Sequence, residues 1–230
     1  MEPAGPDLSW QPLYKVGGVS ALVFVALVLV PIALIFLAPL PPADGRALLE
    51  YIPDHKVVYL VQLVCFVGLA VPALVVFAAV AVGLMAVNKG VALIGGVLGI
   101  ASETIALALG SSPQSLHGGL VLLSEAYATA GTDADRAGLV SAADALIAAT
   151  NAVSWGGILT AAAILVLSLL MRNTVFGRAV GTLGIVTGAV GVVCEALRPV
   201  IGEVYLVYGL LLPAWFLLVG LRLLRIPDER

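Results

Sequence analysis

Two glutamates inside long apolar runs are the residues of this sequence best suited to chemistry. Glu103 and Glu195 occupy the same place in two similar segments, because "GVLGIASETIALALG" aligns with "GAVGVVCEALRPVIG" at a fixed offset of 92 residues. An ionisable group inside a membrane span costs at least ~2.5 kcal/mol unless it is paired or hydrated. Carboxylates that lie close together share a proton or hold a cation, because both cannot ionise cheaply. The two acids therefore predict a site for a proton, a cation or a small cationic or amphiphilic ligand.

Arg198 stands one helical turn beyond Glu195. At this i,i+3 spacing it can pair with that carboxylate and offset the partial negative charge at the helix C-terminus. Along an ideal helix Glu103 lies about 21 Å from Lys89, and Glu195 lies about 26 Å from Arg178. Both acids are then in the outer part of a hydrocarbon layer about 30 Å thick. We expect an outward-facing polar pocket lined by both glutamates and Arg198.

Three further polar residues could line the same pocket, namely Gln62, Asn151 and Ser154. A purely structural interpretation also fits these residues. Glu103 could be protonated, or bound to Arg198, and simply hold helices together, while ordinary interhelical hydrogen bonds account for the amides and the serine. The sequence leaves a ligand site and a structural network both open.

Glycines share a helix face with each acid. At about 100° per residue, Gly96, Gly99 and Gly110 fall within an arc of about 60° that also holds Glu103. A similar stripe precedes Glu195, formed by Gly177, Gly181, Gly184, Gly188 and Gly191. Small residues on one stripe let helices approach closely in lipid. We therefore expect both acids to lie at helix–helix contacts. Either a true structural repeat or chance explains the similarity of the two segments at the offset of 92 residues.

No enzyme motif is present. The sequence contains no HExxH, GxSxG, CxxC or P-loop pattern, and its glycine-rich segments lie in apolar runs and not after strands, as a nucleotide site would require. The two cysteines lack the spacing of a metal site or a disulfide scaffold. We assign no catalytic residue, no metal ligand and no cofactor. The net charge of -3 gives no basic footprint for nucleic acid.

The composition indicates a membrane protein. Of 230 residues 61% are hydrophobic and 11% are charged, with a mean hydropathy of +1.13, whereas soluble domains carry about 25% charged residues. A spanning helix needs about 20 apolar residues. The sequence predicts one all-α integral membrane domain over residues 1–230, a polytopic bundle of six transmembrane helices. The six spans are 16–40, 57–87, 91–110, 151–171, 179–198 and 204–221.

Basic residues set the expected orientation in a cell membrane, because they favour the cytoplasmic side. Seven lie on one side, namely Lys15, Lys89, Arg172, Arg178, Arg222, Arg225 and Arg230, against four on the other, namely Arg46, Lys56, Arg136 and Arg198. Both termini are therefore predicted to be cytoplasmic.

The loops between the predicted spans and the prolines within the spans give further predictions. The outer loop 111–150 is predicted to form short interfacial helices, first over "SLHGGLVLLSEAYATA" and then after an N-cap at Thr132 or Asp133. The segment "PPADGRALLEYIPDHK" is expected to be an outer loop with one helical turn. Proline removes a backbone donor, so Pro31, Pro72 and Pro213 are expected to kink their spans.

Both ends of the chain resemble small multi-span prokaryotic membrane proteins. "WQPLYKVGGVSALV" opens the first span and "LPAWFLLVGLRLLR" closes the last. With the span count, they are similar to the family called domain of unknown function 4386. The resemblance covers about a fifth of the chain. It implies a multi-span membrane fold and carries no activity and no functional residue.

Three functions remain open. The first is a binding or transport-like protein with the pocket described above. The second is a structural or accessory subunit whose glycine-rich faces dock another membrane protein or a second copy. The third is an intramembrane enzyme that uses Glu103 as an acid or base, although only that buried carboxylate supports it.

Overall fold

The computed structural model describes residues 5–109, 117–153, 156–201 and 204–227, and this part of the chain is helical without a strand. A short 3-10 helix, Leu8–Trp10, precedes the first α-helix. The α-helices are α1 Gln11–Leu34, α2 Gly45–Asp54, α3 Lys56–Gly68, α4 Ala70–Leu84, α5 Lys89–Leu109, α6 Gly118–Thr129, α7 Asp133–Val153, α8 Gly156–Met171, α9 Gly177–Ala196, α10 Arg198–Ile201 and α11 Tyr205–Leu223. The predicted all-α class is confirmed.

Five helical segments of the described chain are long and apolar enough to cross a membrane. They are Leu8–Leu34, Lys56–Leu84, Lys89–Ala108, Gly177–Ala196 and Tyr205–Leu223. The predicted fourth span differs, because α8 has only 16 residues, about 24 Å of helix. The described part of the structure thus contains five helical segments of membrane length, and a sixth span is considered below as a proposal.

The second membrane-length segment is interrupted at Leu69, where α3 ends and α4 begins. Pro72 follows three residues later and has no N–H to donate to the carbonyl of Gly68, so the helical ladder loses a bond there. Regular bonding resumes when the amide of Ala73 donates to the carbonyl of Leu69 at 3.2 Å. By contrast, Pro31 and Pro213 lie inside the continuous helices α1 and α11.

The chain divides into two compact units. The first comprises Met1–Ala26, Leu69–Ile105 and Trp155–Arg230, and the second comprises Leu27–Gly68 and Ala106–Ser154. The first unit has an aromatic centre, in which Phe24 stacks on Phe216 with ring centroids 3.8 Å apart. Trp215 is fully buried beside them, and its indole Nε1 donates a hydrogen bond to the Ser168 hydroxyl at 3.2 Å. The buried indole therefore has the polar partner that it needs.

Glycines hold α9 directly against α8. A methyl carbon at Gly188 would lie 2.6 Å from the backbone nitrogen of Leu165 and 2.7 Å from the carbonyl oxygen of Ala161. In the same way, a methyl carbon added at Gly96 of α5 would lie only 2.7 Å from Ala81 Cβ of α4. The glycine stripes are thus helix-packing faces, as their spacing predicts.

Gly188→Ala is expected to lower the free energy of unfolding by about 1–3 kcal/mol, because backbone atoms of α8 cannot move aside cheaply. The matched control is Gly209→Ala in α11, where an added methyl would meet nothing within 4 Å. There the better helix propensity of alanine is expected to stabilise by up to about 1 kcal/mol.

Thermal unfolding in detergent with a thiol-reactive fluorophore would measure both variants, because Cys65 and Cys194 are free and buried. Equal unfolding midpoints for Gly188→Ala and Gly209→Ala would contradict the close α8–α9 contact.

The second unit has a small helical core formed by α2, α6 and α7, with one residue, Tyr59, from α3. Its buried residues are Leu48, Leu49, Ile52, Tyr59, Leu120, Ala143 and Ile147. The Ser124 hydroxyl donates to the carbonyl of Leu49 at 2.7 Å, and the amide of Gly45 donates to Asp144 Oδ1 at 2.9 Å. The apolar face of α6 therefore packs against protein, where the sequence predicts a membrane-surface helix.

Two helix starts in this unit follow capping rules. The single helical turn predicted after Asp44 is wrong, because α2 runs for 10 residues. Asp44 accepts a hydrogen bond from the amide of Ala47 at 2.9 Å, and the apolar face of α2 is covered by the unit's core. At α7 the amide of Asp135 donates to Thr132 Oγ1 at 3.1 Å, so Thr132 is the N-cap.

Candidate functional site

Glu103 faces α8 and is only 5% exposed. The Thr160 hydroxyl lies 3.0 Å from Glu103 Oε1. The Ser102 hydroxyl lies 2.6 Å from Thr160 Oγ1 and 2.6 Å from the carbonyl oxygen of Gly156. Gly156 and Thr160 are four residues apart, so α8 presents both on one face. The result is a chain of four oxygens joined by three short contacts.

The two protonation states of Glu103 differ in how many of these three contacts can be hydrogen bonds. Each contact needs one hydrogen, and the Ser102 and Thr160 hydroxyls supply two. A carbonyl only accepts, so Ser102 donates to Gly156, Thr160 then donates to Ser102, and a protonated Glu103 carboxyl donates to Thr160. With a charged carboxylate Thr160 must donate to Glu103 instead, and the single hydrogen of Ser102 serves one of its two neighbours. Only a protonated Glu103 completes all three bonds.

Glu195 is 4% exposed and has different partners. The Tyr205 hydroxyl donates to its Oε1 at 2.7 Å, and Nη1 of Arg198 lies 3.6 Å from its Oε2. The same guanidinium lies over the Tyr205 ring, 5.1 Å from the centroid. Oε2 makes no hydrogen bond within the described residues. The predicted pairing of Glu195 with Arg198 is present, and a tyrosine completes it.

Both acids lie against the first turns of α8. A methyl carbon at Gly157 would be 2.5 Å from the carboxyl carbon of Glu195, and Thr160, three residues later, contacts Glu103. The first turn of a helix carries a partial positive charge that favours a nearby carboxylate. Tyr208 of α11 is buried, and its ring lies 5.9 Å from that of Tyr205, the hydrogen-bond partner of Glu195. The N-terminal part of α8 is therefore the element that the two predicted acids share.

The remaining predicted residues have separate outcomes. Gln62 lies in α3, in the second unit, where it is fully buried and its amide has no hydrogen-bond partner within the described residues. Asn151 lies in α7, and its side chain is outside the described part of the structure, as is Ser154 altogether. Their role as pocket residues stays a prediction. His117 accepts a hydrogen bond from the amide of Gly119 through Nδ1 at 2.9 Å and caps α6.

Sequence reasoning missed the hydroxyl partners of both acids. Ser102 is adjacent to Glu103 in the sequence and could have been proposed as a partner. Thr160 gave no such signal, because it is one hydroxyl among the many apolar residues of α8. Tyr205 follows Glu195 by ten residues, with α10 between their two helices, so helical spacing could not connect them. Within the described residues no group of three or more His, Cys, Asp or Glu side chains could hold a metal ion.

Comparisons with known proteins give no relative. A scan against protein-family models finds no family that matches the chain. Searches of curated proteins and of solved structures find no similar protein either. The class that the fold defines is an α-helical bundle with several apolar helices of membrane length, consistent with a multi-pass membrane protein. Its candidate site consists of two buried acids, Glu103 of α5 and Glu195 of α9, beside the start of α8.

Proposed function

We propose that this chain is a multi-pass protein of the cell membrane that binds, and can pass, a proton at Glu103. The observation that carries the proposal is the chain of three oxygen contacts from Gly156 to Glu103, which is complete only when the carboxyl is protonated. Glu195 and Arg198 form the neighbouring ion pair. Glu195 lies in the last turn of α9 and Arg198 begins α10, at the end that faces outward in the predicted orientation, so the proposed access is from the outer side.

The surroundings of each acid favour a proton over a metal cation. A hard cation such as Ca²⁺ needs about six to eight oxygen ligands. Glu103 Oε1 has one hydroxyl partner, and that hydroxyl continues into a chain of hydrogen bonds. Glu195 already has a guanidinium beside it, which repels a second cation. A proton requires only one acceptor, and the Ser102 and Thr160 hydroxyls beside Glu103 can each donate or accept a hydrogen bond, which supports this choice.

The proposed topology has six spans with both termini cytoplasmic. α8, the fourth span in chain order, is added to the five helices of membrane length to give six. Its close contact with α9, which is of membrane length, supports this assignment. Helices α2, α6 and α7 lie on the outer side in this arrangement. The partition of basic residues, seven against four, supports the orientation. The resemblance to the domain of unknown function 4386 is compatible with it.

The accessory-subunit alternative is less well supported by the packing. Gly95, Gly96 and Gly99 of α5 contact α4 and α8, and the glycines of α9 contact α8 and α11. These faces are occupied by this chain's own helices and are not free to dock a partner. An intramembrane enzyme gains no observation beyond the buried Glu103.

Infrared difference spectra of the purified protein in lipid nanodiscs test the proposal. The wild-type protein is expected to show a protonated-carboxyl band that Glu103→Gln removes. Glutamine still donates to Thr160, so this variant should fold. The control is Glu125→Gln, at an exposed acid that pairs with Lys56 at 2.6 Å.

The same variants are then placed in vesicles that hold a pH-sensitive dye and face an imposed pH difference. Glu103→Gln is expected to reduce proton flux to that of protein-free vesicles, and Glu125→Gln is expected to leave it unchanged. A carboxyl band that survives Glu103→Gln, together with unaltered flux, would refute proton binding at this site.

A further inference from the structure

A cationic cleft lies where α8 ends and α9 begins, in the first unit. It has a volume of about 430 Å³ and is lined by Leu169, Arg172, Asn173 and Arg178. Both arginines are exposed. Among the described residues, no carboxylate forms an ion pair with either guanidinium. The cleft therefore presents two positive charges that the described part of the chain does not neutralise.

The loop that shapes this cleft is tied in place. The Thr174 hydroxyl donates to the carbonyl of Met171 at 2.8 Å and accepts from the amide of Phe176 at 3.3 Å. Phe176 is fully buried and anchors the end of the loop. Gly177 then has a φ of 82°, a left-handed conformation that glycine adopts without strain. The two arginines are thus carried on fixed backbone on either side of a short turn.

A third arginine adjoins the turn from another helix. Arg222, in the last turn of α11, places its Nη2 atom 3.7 Å from the position that a Cβ would take on Gly177. Guanidinium groups match phosphate oxygens with paired hydrogen bonds. Three elements, α8, α9 and α11, therefore bring guanidinium groups to one end of the first unit.

The order of apolar and charged residues fits a lipid. Leu169 is 58% exposed and lies in the last turn of α8, and Arg172 directly follows the end of that helix; both line the cleft. An acyl chain would lie against Leu169, and the phosphate would lie at the arginines. Clusters of basic residues at a membrane surface attract anionic headgroups by about 1 kcal/mol for each Lys or Arg.

We propose that this cleft binds the phosphate group of an anionic phospholipid between Arg172 and Arg178, with Asn173 as a further hydrogen-bond donor. The inference uses none of the residues of the proton site, and it holds whichever side of the membrane the cleft faces. A free inorganic phosphate offers the same chemistry without the acyl chain, so the experiment must separate the two sources.

The test is native mass spectrometry of protein taken from vesicles of phosphatidylcholine with phosphatidylglycerol, in phosphate-free buffer. Wild-type protein is expected to retain phosphatidylglycerol in preference to phosphatidylcholine. The double variant Arg172→Gln/Arg178→Gln is expected to bind it about 30-fold more weakly, from the loss of two interfacial charges. Arg225→Gln removes an exposed arginine of the C-terminal segment that does not line the cleft, and it should match the wild type.

Three outcomes would overturn the proposal. Equal retention by the wild type and the double variant would show that the arginines do not hold the lipid. Equal loss in Arg225→Gln would show that net charge, and not the cleft, is responsible. Displacement of phosphatidylglycerol by millimolar inorganic phosphate, with that anion then bound to the protein, would assign the cleft to a free anion. A thermal unfolding midpoint equal to that of the wild type shows that the double variant is folded.

Discussion

Arg198→Met is expected to lower the free energy of unfolding by about 3–5 kcal/mol, the cost of leaving one member of a buried ion pair without its partner. Glu195 is 4% exposed, and its Oε2 has Arg198 as its cationic neighbour at 3.6 Å. The Tyr205 hydroxyl bonds the other oxygen and cannot replace a positive charge. The loss should therefore exceed that for an exposed arginine.

A double-mutant cycle measures this pair. Glu195→Gln/Arg198→Met removes both charges and is expected to recover most of the stability lost in Arg198→Met, because the neutral amide can still accept from Tyr205. Arg225→Met is the control, since this exposed arginine should change stability by less than about 0.5 kcal/mol. If Arg198→Met and Arg225→Met unfold at the same midpoint, the buried ion pair does not stabilise the protein.

Thr160→Val is expected to cost about 1–3 kcal/mol, although the two side chains have nearly the same shape. It leaves the buried Glu103 carboxyl without its hydroxyl partner, and an unpaired buried polar group carries its full desolvation penalty. Ser102 keeps its hydrogen bond to the carbonyl of Gly156. Thr160→Ser retains the hydroxyl and should lie between Thr160→Val and the wild type.

The measurement combines stability with the infrared band of the carboxyl. In Thr160→Val the protonated-carboxyl band of Glu103 should move to the position of a group with no hydrogen bond, and in Thr160→Ser it should stay. The double variant Glu103→Leu/Thr160→Val removes both polar partners and should regain stability relative to Thr160→Val. An unshifted band in Thr160→Val would mean that the chain of oxygens does not end on Glu103.

The class of fold follows from the sequence because uncharged runs of about 20 residues have few alternatives to membrane-length helices. The runs around Glu103 and Glu195 behave in this way. The run ending at Met171 does not, because hydropathy cannot show where one apolar helix stops and the next begins. The length of α2 was underestimated for a related reason, since a segment with a proline and several charges gives a weak helical signal until other helices cover its apolar face.

The residues of the candidate site also differ in whether the sequence predicts them. The two acids and Arg198 are detectable because charge is rare in apolar runs and the i,i+3 spacing is local. The glycines that admit them are detectable because they repeat on one face. The hydroxyls of Ser102, Thr160 and Tyr205 are not detectable from the sequence. Their role depends on which helices pack together, and the periodicity of a sequence does not show which helices do so. Gln62 is a different case, since its polar type predicts a place in the pocket and the structure describes a buried amide without a partner in the described residues, so its role in the pocket stays a prediction.

The glycine-lined contact between α8 and α9 has a consequence for the proposed topology, in which the short helix α8 is a membrane span. Sixteen residues do not match a hydrocarbon layer about 30 Å thick, and such a mismatch must be absorbed by thinning of the bilayer or by association with a longer helix. Because α8 and α9 approach closely at Gly188, the longer helix can fix the vertical position of the shorter one in that topology. We therefore expect the pair to insert as a single hairpin, and we expect lengthening α8 alone to bring little gain in membrane affinity.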